Sequence, residues 1–473
     1  MSRFAKASIV GLSVFLSACM VGPDYHRPDT VVPAQFKHVE GWSQAAPADE
    51  APKGEWWKRY GDEELNQLIE RLNNSNQTVA QYEAQYRQAF ALAQSARGAL
   101  WPQLNLTAGK TRAGQGTGSS TSSQTVQVTG IRTTYNAALN ASWEVDIWGR
   151  LRRTLEANTA NADASLATLA AMRLSMQSEL VQNYLQLRVM DQQKRLLTET
   201  VDTYKRVMQM TESQHKRGIV SGADVAAAQT QLKSAEADLV DLVWQRAQLE
   251  NAIAVLIGEV PANFSLADSG KVPLLPGIPA SVPSQLLERR PDVAAAERSV
   301  ISANASIGVA KSAYYPSLTL SATGGYRSST FSDWLTLPNR YWSIGPQFAM
   351  NLFNAGQNKY AVVQAEASYD ASVAGYRQIV LDAFREVEDY LVTLHTLGEE
   401  SVLREQATQA ARQSLKQYTN QYRVGLISFL EMVTAQTTAL NNERTLLTLQ
   451  QSRLISSVQL ISALGGGWEG LPQ

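Results

Sequence analysis

From Tyr135 onward the chain alternates. Tyr135, Ala137, Leu139, Ala141, Trp143, Val145 and Ile147 fall on one side, and Asn136, Ala138, Asn140, Ser142, Glu144 and Asp146 on the other. A second stretch sets Trp342, Ile344, Phe348, Met350 and Leu352 against Ser343, Gly345, Gln347 and Asn351. Shorter runs place Leu104, Leu106 and Ala108 opposite Asn105 and Thr107, and Leu318, Leu320 and Ala322 opposite Ser317, Thr319 and Ser321. Period two marks a strand with two unlike faces. The pattern predicts four strands, at about 102–113, 131–147, 316–327 and 341–353, with Gly- and Ser-rich turns inside each pair. One apolar face and one of small polar residues suits a strand between lipid and a watery lumen. A soluble sheet packed on a helix would show the same alternation.

Elsewhere the period lengthens. Leu166, Leu169, Leu174, Leu180, Tyr184 and Leu187, and again Leu440, Leu447, Leu454, Val458 and Ile461, recur at spacings of mostly three, four and seven. That is the narrow stripe of helices packed side by side. Good helix formers fill 151–257 and 357–464 without a proline, predicting two long helical hairpins. A helix of some 60 residues would be on the order of 90 Å long, which suits an extended bundle. Leading helices at about 63–99 and from about 283 to 313 stop near Pro102 and Pro316.

The chain repeats itself. The segment 214–230 matches 421–437 at an offset of 207, aligning Gly218 with Gly425, Ser221 with Ser428 and Ala228-Gln229-Thr230 with Ala435-Gln436-Thr437. Asp163-Ala-Ser165 with Asp370-Ala-Ser372, and Leu256-Ile-Gly258 with Ala463-Leu-Gly465, keep that offset; Ala99–Leu106 resembles Ala313–Leu320 a few residues further on. Two copies of one unit account for this order. The organisation expected is a first repeat at 63–259, a Pro-rich linker at 260–283, a second repeat at 284–465 and a tail at 466–473.

The N-terminus changes the setting. Arg3 and Lys6 precede a short apolar stretch from Ala7 to Leu16, and Leu16-Ser17-Ala18-Cys19 has the form of a bacterial lipobox. This predicts a signal peptide at 1–18 and a lipidated segment at 19–62, with diacylglyceryl and amide-linked acyl groups on Cys19. Several acyl chains at about 0.8 kcal/mol per buried methylene make such anchoring effectively permanent. Met20 stands where an aspartate would resemble an inner-membrane retention signal, so the outer membrane is expected. No other apolar run reaches a spanning length, so a crossing would have to be made by strands. Four strands cannot close a membrane barrel. Two chains would supply eight and three would supply twelve, and the pattern does not choose.

Composition excludes rather than assigns. With 42 Lys+Arg against 43 Asp+Glu there is no basic excess for nucleic acid. One cysteine and four histidines, His26, His38, His215 and His395, leave no intrachain disulfide and no ligand or triad spacing. There is no glycine-rich phosphate loop. Met172, Met176, Met208 and Met210 fit helix packing better than a copper path. No enzyme and no cofactor are expected beyond the lipid.

Several motifs then occur in order: Val21-Gly-Pro-Asp-Tyr25, Trp56-Trp57, Trp143-Glu-Val-Asp-Ile-Trp-Gly-Arg150, Leu286-Leu-Glu-Arg-Arg-Pro-Asp-Val293 and Leu464-Gly-Gly-Gly-Trp468. Together they resemble the TolC-like outer-membrane efflux channels, in the lipoprotein branch serving resistance–nodulation–division pumps. The resemblance covers essentially the whole mature chain. It implies a mostly α fold with membrane β: a homotrimer whose twelve-stranded barrel continues into a periplasmic helical tunnel. It also implies a passive exit duct for small molecules such as antibiotics, with a periplasmic adaptor and an inner-membrane pump as partners. A duct for protein secretion, or a lipid-anchored structural coiled coil, are the alternatives. The family's adaptor-docking tips map onto Val424-Gly425-Leu426-Ile427, and onto Arg217-Gly218-Ile219-Val220, where arginine replaces the usual valine. The periplasmic gate maps onto Leu430; Thr434 stands at the commonly acidic position, and Glu431 is a substitute source of charge.

Overall fold

The computed structural model describes residues 20–30, 33, 36–37, 54–114, 131–277 and 290–466. The expected signal peptide at 1–18, Cys19, the expected start of the second repeat at 284 and most of the expected C-terminal tail lie outside the described residues. The chain divides into two compact units. One comprises Met1–Pro28, Arg87–Ala164 and Ala296–Gly375; the other comprises Asp29–Tyr86, Ser165–Ala295 and Tyr376–Gln473.

The first unit holds the sheet. Strands β1 (Gln103–Gly114), β2 (Ile131–Val145), β3 (Ser317–Ser328) and β4 (Arg340–Ala349) are antiparallel in the order β1-β2-β3-β4. The register pairs Leu106 with Leu139, Leu139 with Gly324 and Gly324 with Trp342. One row on, Leu104, Ala141, Ala322 and Ile344 align. All four apolar sets therefore share one face, and that face is exposed at Leu104, Leu106, Leu139, Trp342, Ile344 and Phe348. On the other face Asn140 bridges the strands. Its amide donates to Thr107 Oγ1 at 3.0 Å, and its carbonyl accepts from Thr323 Oγ1 at 3.0 Å. Gly325 lies against β2 so closely that a Cβ there would sit 2.2 Å from the Ala137 carbonyl oxygen.

Two strands end earlier than their alternation predicts. β2 stops at Val145 rather than 147 because the Asp146 carboxylate turns to cap the next helix, accepting from Leu151 N at 3.0 Å and Arg152 N at 2.9 Å. Glu144 meanwhile holds Arg150 in a two-point pair at 3.0 and 2.7 Å, and Trp148 Nε1 donates to the Pro316 carbonyl at 2.8 Å. The motif from Trp143 to Arg150 is thus a strand-to-helix joint. β4 stops at Ala349 rather than 353 because its partner begins at Ser317, just after Pro316; among the described residues Met350–Phe353 have no strand to pair with. The Val21–Tyr25 segment packs on the same joint. Val21 N donates to the Trp148 carbonyl at 3.0 Å, and buried Arg153 reaches Asp24 at 2.8 Å. Gly149 has φ 81, and a Cβ there would strike Met20.

Helices are α1 (Glu63–Ser75), α2 (Gln77–Gly98), α3 (Arg150–Lys216), α4 (Gly222–Leu256), α5 (Pro291–Ser312), α6 (Gln357–Arg423) and α7 (Phe429–Ala463). Both α3 and α6 have 67 residues, and both α4 and α7 have 35. Each second-copy helix of these pairs starts and ends 207 residues after its counterpart (357 − 150, 423 − 216, 429 − 222, 463 − 256). Among the described residues no helix is long and apolar enough to cross a membrane. The predicted single helix at 63–99 is two, because Asn76 adopts an extended conformation. Its Oδ1 caps α2 through Val79 N at 2.9 Å while its Nδ2 donates to the last carbonyl of α4, Leu256, at 2.7 Å. In the second copy, Arg290 does the corresponding work. It donates to the last carbonyl of α7, Ala463, at 3.3 Å and pairs with Asp292 and Glu386, each at 2.7 Å. These carboxylates hold its guanidinium above the usual arginine range despite the opposing effect of burial.

The core of the second unit lies around the middle of α3, where Leu180, Val181, Tyr184, Leu185 and Leu187 are buried together with Leu65, Ile69 and Leu72 of α1. A charged network runs through it. Buried Asp191 accepts from Arg188 at 3.1 Å and Arg246 at 2.7 Å; Arg188 also pairs with Glu64 and donates to the Ala267 carbonyl at 2.8 Å. Four segments are tied at one point: α1, α3, α4 and the chain after α4. Arg188→Ala strands Asp191 with half its compensation, and breaking such a buried pair costs about 3–5 kcal/mol. Thermal unfolding followed by helical circular dichroism should show a clearly lowered midpoint; an unchanged midpoint would remove the network from the stability account.

Candidate functional site: the hairpin tips

The two helical hairpins turn over alike. α3 ends with Gly218 at φ 74, its N–H donating to the His215 carbonyl at 2.8 Å while Ile219 N donates to Gln214 O at 3.0 Å. α6 ends with Gly425 at φ 79, where Gly425 N reaches Tyr422 O and Leu426 N reaches Gln421 O, both at 3.0 Å. This paired closure needs a left-handed residue after the helix, which glycine enters without a Cβ penalty. Nothing lies within 4 Å of where a Cβ would stand at either glycine, so conformation rather than space demands them. Three residues later a capping box opens the returning helix. Ser221 pairs reciprocally with Asp224, and Ser428 with Glu431. Each reversal is therefore rigid at both ends, with its middle held out.

That middle is apolar and uncovered. Ile219 is 66% exposed, Val424 70%, Leu426 75% and Leu430 72%. Arg217 is exposed beside them, and Val220 is half-buried. Ile427 turns inward against a cluster of Ala228, Tyr422, Phe429 and Met432, which Val207, Met208 and Met210 also join. Tyr422 donates its hydroxyl to Gln214 Oε1 at 3.0 Å, linking the two hairpins next to both tips. Exposed aliphatic side chains on a rigid turn leave an uncovered apolar patch at each reversal.

The three positions expected at the gate have distinct surroundings. Leu430 projects into solvent. Thr434 bonds back to the Leu430 carbonyl at 2.8 Å, a local helix contact. Glu431 Oε2 accepts from both the backbone N–H and the hydroxyl of Ser428, each at 2.8 Å. Those hydrogen bonds, the backbone one foremost, favour the carboxylate and hold its pKa below the usual glutamate range. The Glu431 carboxylate is therefore engaged in the cap as well as exposed.

No local pattern marks Tyr422 and Gln214 as partners. The nearest signal is that Tyr422 and His215 precede the two glycines by three residues each, yet the two rings do different things. The exposed His215 ring contacts the Val220 carbonyl at 2.9 Å, inside its own turn. Among the described residues no group of three or more His, Cys, Asp or Glu side chains is placed to hold a metal.

A family model described as outer membrane efflux protein matches residues 68–259 and 282–466. The probable outer membrane lipoprotein SilC of Salmonella typhimurium is 27% identical over 99% of this chain and 100% of its own length. The antibiotic efflux pump outer membrane protein ArpC of Pseudomonas putida is 29% identical over 98% of this chain and 96% of its own. The solved outer-membrane channel OprN superposes with a TM-score of 0.88 at 28% identity, covering 95% of this chain and 100% of that one.

Since the folded Glu431 pKa is lowered, its contribution to the cap is present above the unfolded value and fades as pH falls through the folded one. Glu431→Ala should accelerate amide exchange over 428–433 at neutral pH, leaving 221–226 unchanged. Equal protection in variant and parent would dismiss the capping role.

Proposed function

The chain belongs to the outer membrane efflux protein family, and on that premise we propose that it works as a homotrimeric, passive exit duct. It is an outer-membrane efflux channel and not an enzyme. The observation that carries the trimeric reading is the four-stranded sheet with one exposed apolar face and two unpaired edges, β1 and β4, among the described residues. In hydrocarbon an unpaired backbone N–H or C=O costs several kcal/mol, so the edges must meet other copies. Eight strands leave an interior largely filled by side chains, whereas twelve leave room for a channel.

In this reading the strands lie in the outer membrane and the helices stand in the periplasm. Cys19 carries the lipid anchor. Arg217, Gly218, Ile219, Val220, Val424, Gly425, Leu426 and Ile427 meet a periplasmic adaptor, which couples the duct to an inner-membrane pump that supplies energy and selects cargo. Leu430 narrows the periplasmic end, where three copies would approach one axis, and Glu431 supplies carboxylates there to the extent that its cap allows. Small toxic molecules such as antibiotics are the cargo class.

Purified protein should run as three chains and give discrete conductance in a planar bilayer once the tips are loosened; silent bilayers would sink the duct. Gly425→Trp projects a large side chain into open space at the tip. It should reduce efflux to the level of a deletion strain while outer-membrane trimer abundance stays normal. Undiminished efflux would exclude adaptor docking at this turn.

A further inference from the structure

The sheet end at which β1 and β3 finish and β2 and β4 begin has a charge pattern that conduction does not use. Residues 103–109, 133–143, 317–326 and 341–353 hold no charged side chain. Immediately beyond this neutral band, 110–134 and 327–340 hold Lys110, Arg112, Arg132, Arg327 and Arg340 against the single acid Asp333. The opposite sheet end is balanced, with Glu144 paired to Arg150 and Asp146 to Arg152.

Register sorts the cations by face. Lys110 stands opposite Tyr135 and Arg340 opposite Tyr326, so Lys110, Arg112 and Arg340 share the exposed apolar face. Arg132 and Arg327 fall on the other, where Arg327 covers the Tyr341 ring at 5.0 Å. Below the first three runs an aromatic row of Tyr135, Tyr326 and Trp342. Phe331 and Trp334 of the β3–β4 turn extend it, their rings 5.5 and 6.1 Å from Tyr135. Lys110 Nζ lies 5.4 Å from the Tyr135 ring. Lys110, Arg112 and Arg340 are exposed, and none has an ion-pair partner among the described residues. Edge pairing consumes backbone groups and leaves faces open, so oligomer closure does not cover these side chains. It brings the β1 and β4 edges of neighbouring copies together, concentrating their cations at one junction, and that concentration demands anions.

We propose that this rim binds the phosphates of the outer-leaflet glycolipid, with the aromatic row seated at the boundary between its acyl chains and sugars. The proposal rests on the barrel reading above, which puts the turns at the outer surface. Charge complementarity selects the ligand. Guanidinium groups match phosphate oxygens in two-point geometry, a juxtamembrane cation gains appreciably beside an anionic lipid surface, and aromatic rings favour the interface depth.

The test compares bisphosphorylated lipid A with its enzymatically dephosphorylated form, each offered to the full-length lipidated trimer in detergent and read by native mass spectrometry. The parent should prefer the phosphorylated form by about tenfold or more, from roughly the contribution of a few surface cations, and less so at high salt. The combined variant Lys110→Gln, Arg112→Gln, Arg340→Gln should lose that preference while staying trimeric and conducting. The control Arg132→Gln, Arg327→Gln should keep it. A preference that survives in the first variant, vanishes in the control, or is abolished by an equal concentration of inorganic phosphate overturns the proposal. Conductance is read separately, so a silent parent would count against the duct without obscuring the lipid result.

Discussion

Everything in this molecule depends on where backbone hydrogen bonds can be completed. Within one chain the sheet runs β1-β2-β3-β4 and stops, leaving one side of β1 and one side of β4 without partners among the described residues. In water such edges are tolerable; next to an exposed face of Leu104, Leu106, Leu139, Trp342 and Ile344 they are not, because that face belongs in lipid. The open sheet and the need for more than one chain are one constraint seen at two scales. The helices escape it, since each satisfies its own backbone and can extend to 67 residues without a partner's help.

Duplication explains the architecture, and the departures from it show what each copy must do. The tips are near-identical in backbone, with left-handed glycines at 218 and 425 and capping boxes at 221 and 428. The helix junctions are equivalent in task but not in chemistry. Asn76 reaches the end of α4 with a neutral amide, and Arg290 reaches the end of α7 with a guanidinium held by two carboxylates. Deeper in, the copies diverge outright. At the 207-residue offset, Tyr184 is matched by buried Leu391, Arg188 by exposed His395 and Asp191 by Gly398. Among the described residues, only the first copy has a segment after its hairpin, Leu266 to Ser269, that feeds backbone groups into the charged cluster. Buried charge survives where surrounding carbonyls and amides can complete its hydrogen bonds, and is absent where they cannot.

Much of the fold was legible because its signals are local and periodic. Alternation marked the strands, the absence of proline marked the long helices, and a shared offset marked the duplication. Boundaries failed where a single side chain served something distant. Asn76 broke a helix that its neighbours would have continued, because the end of α4 needed a donor. Asp146 ended β2 because α3 needed a cap. The tips were expected from the family resemblance, which their glycines and apolar neighbours carry, whereas Tyr422 and Gln214 stayed hidden, since nothing in either helix announces a partner in the other hairpin.

The sequence by itself determined which faces are apolar, where the chain turns, and that two copies of one unit are present, because the first two depend on residues a few positions apart and the third on such short patterns recurring at one fixed offset. The tertiary structure decided the rest. It showed that all four apolar strand faces coincide, that Glu431 spends its charge on a cap, and that five cations gather at one end of the sheet. Those facts depend on register and approach between segments up to about two hundred residues apart, and no local pattern encodes such distances.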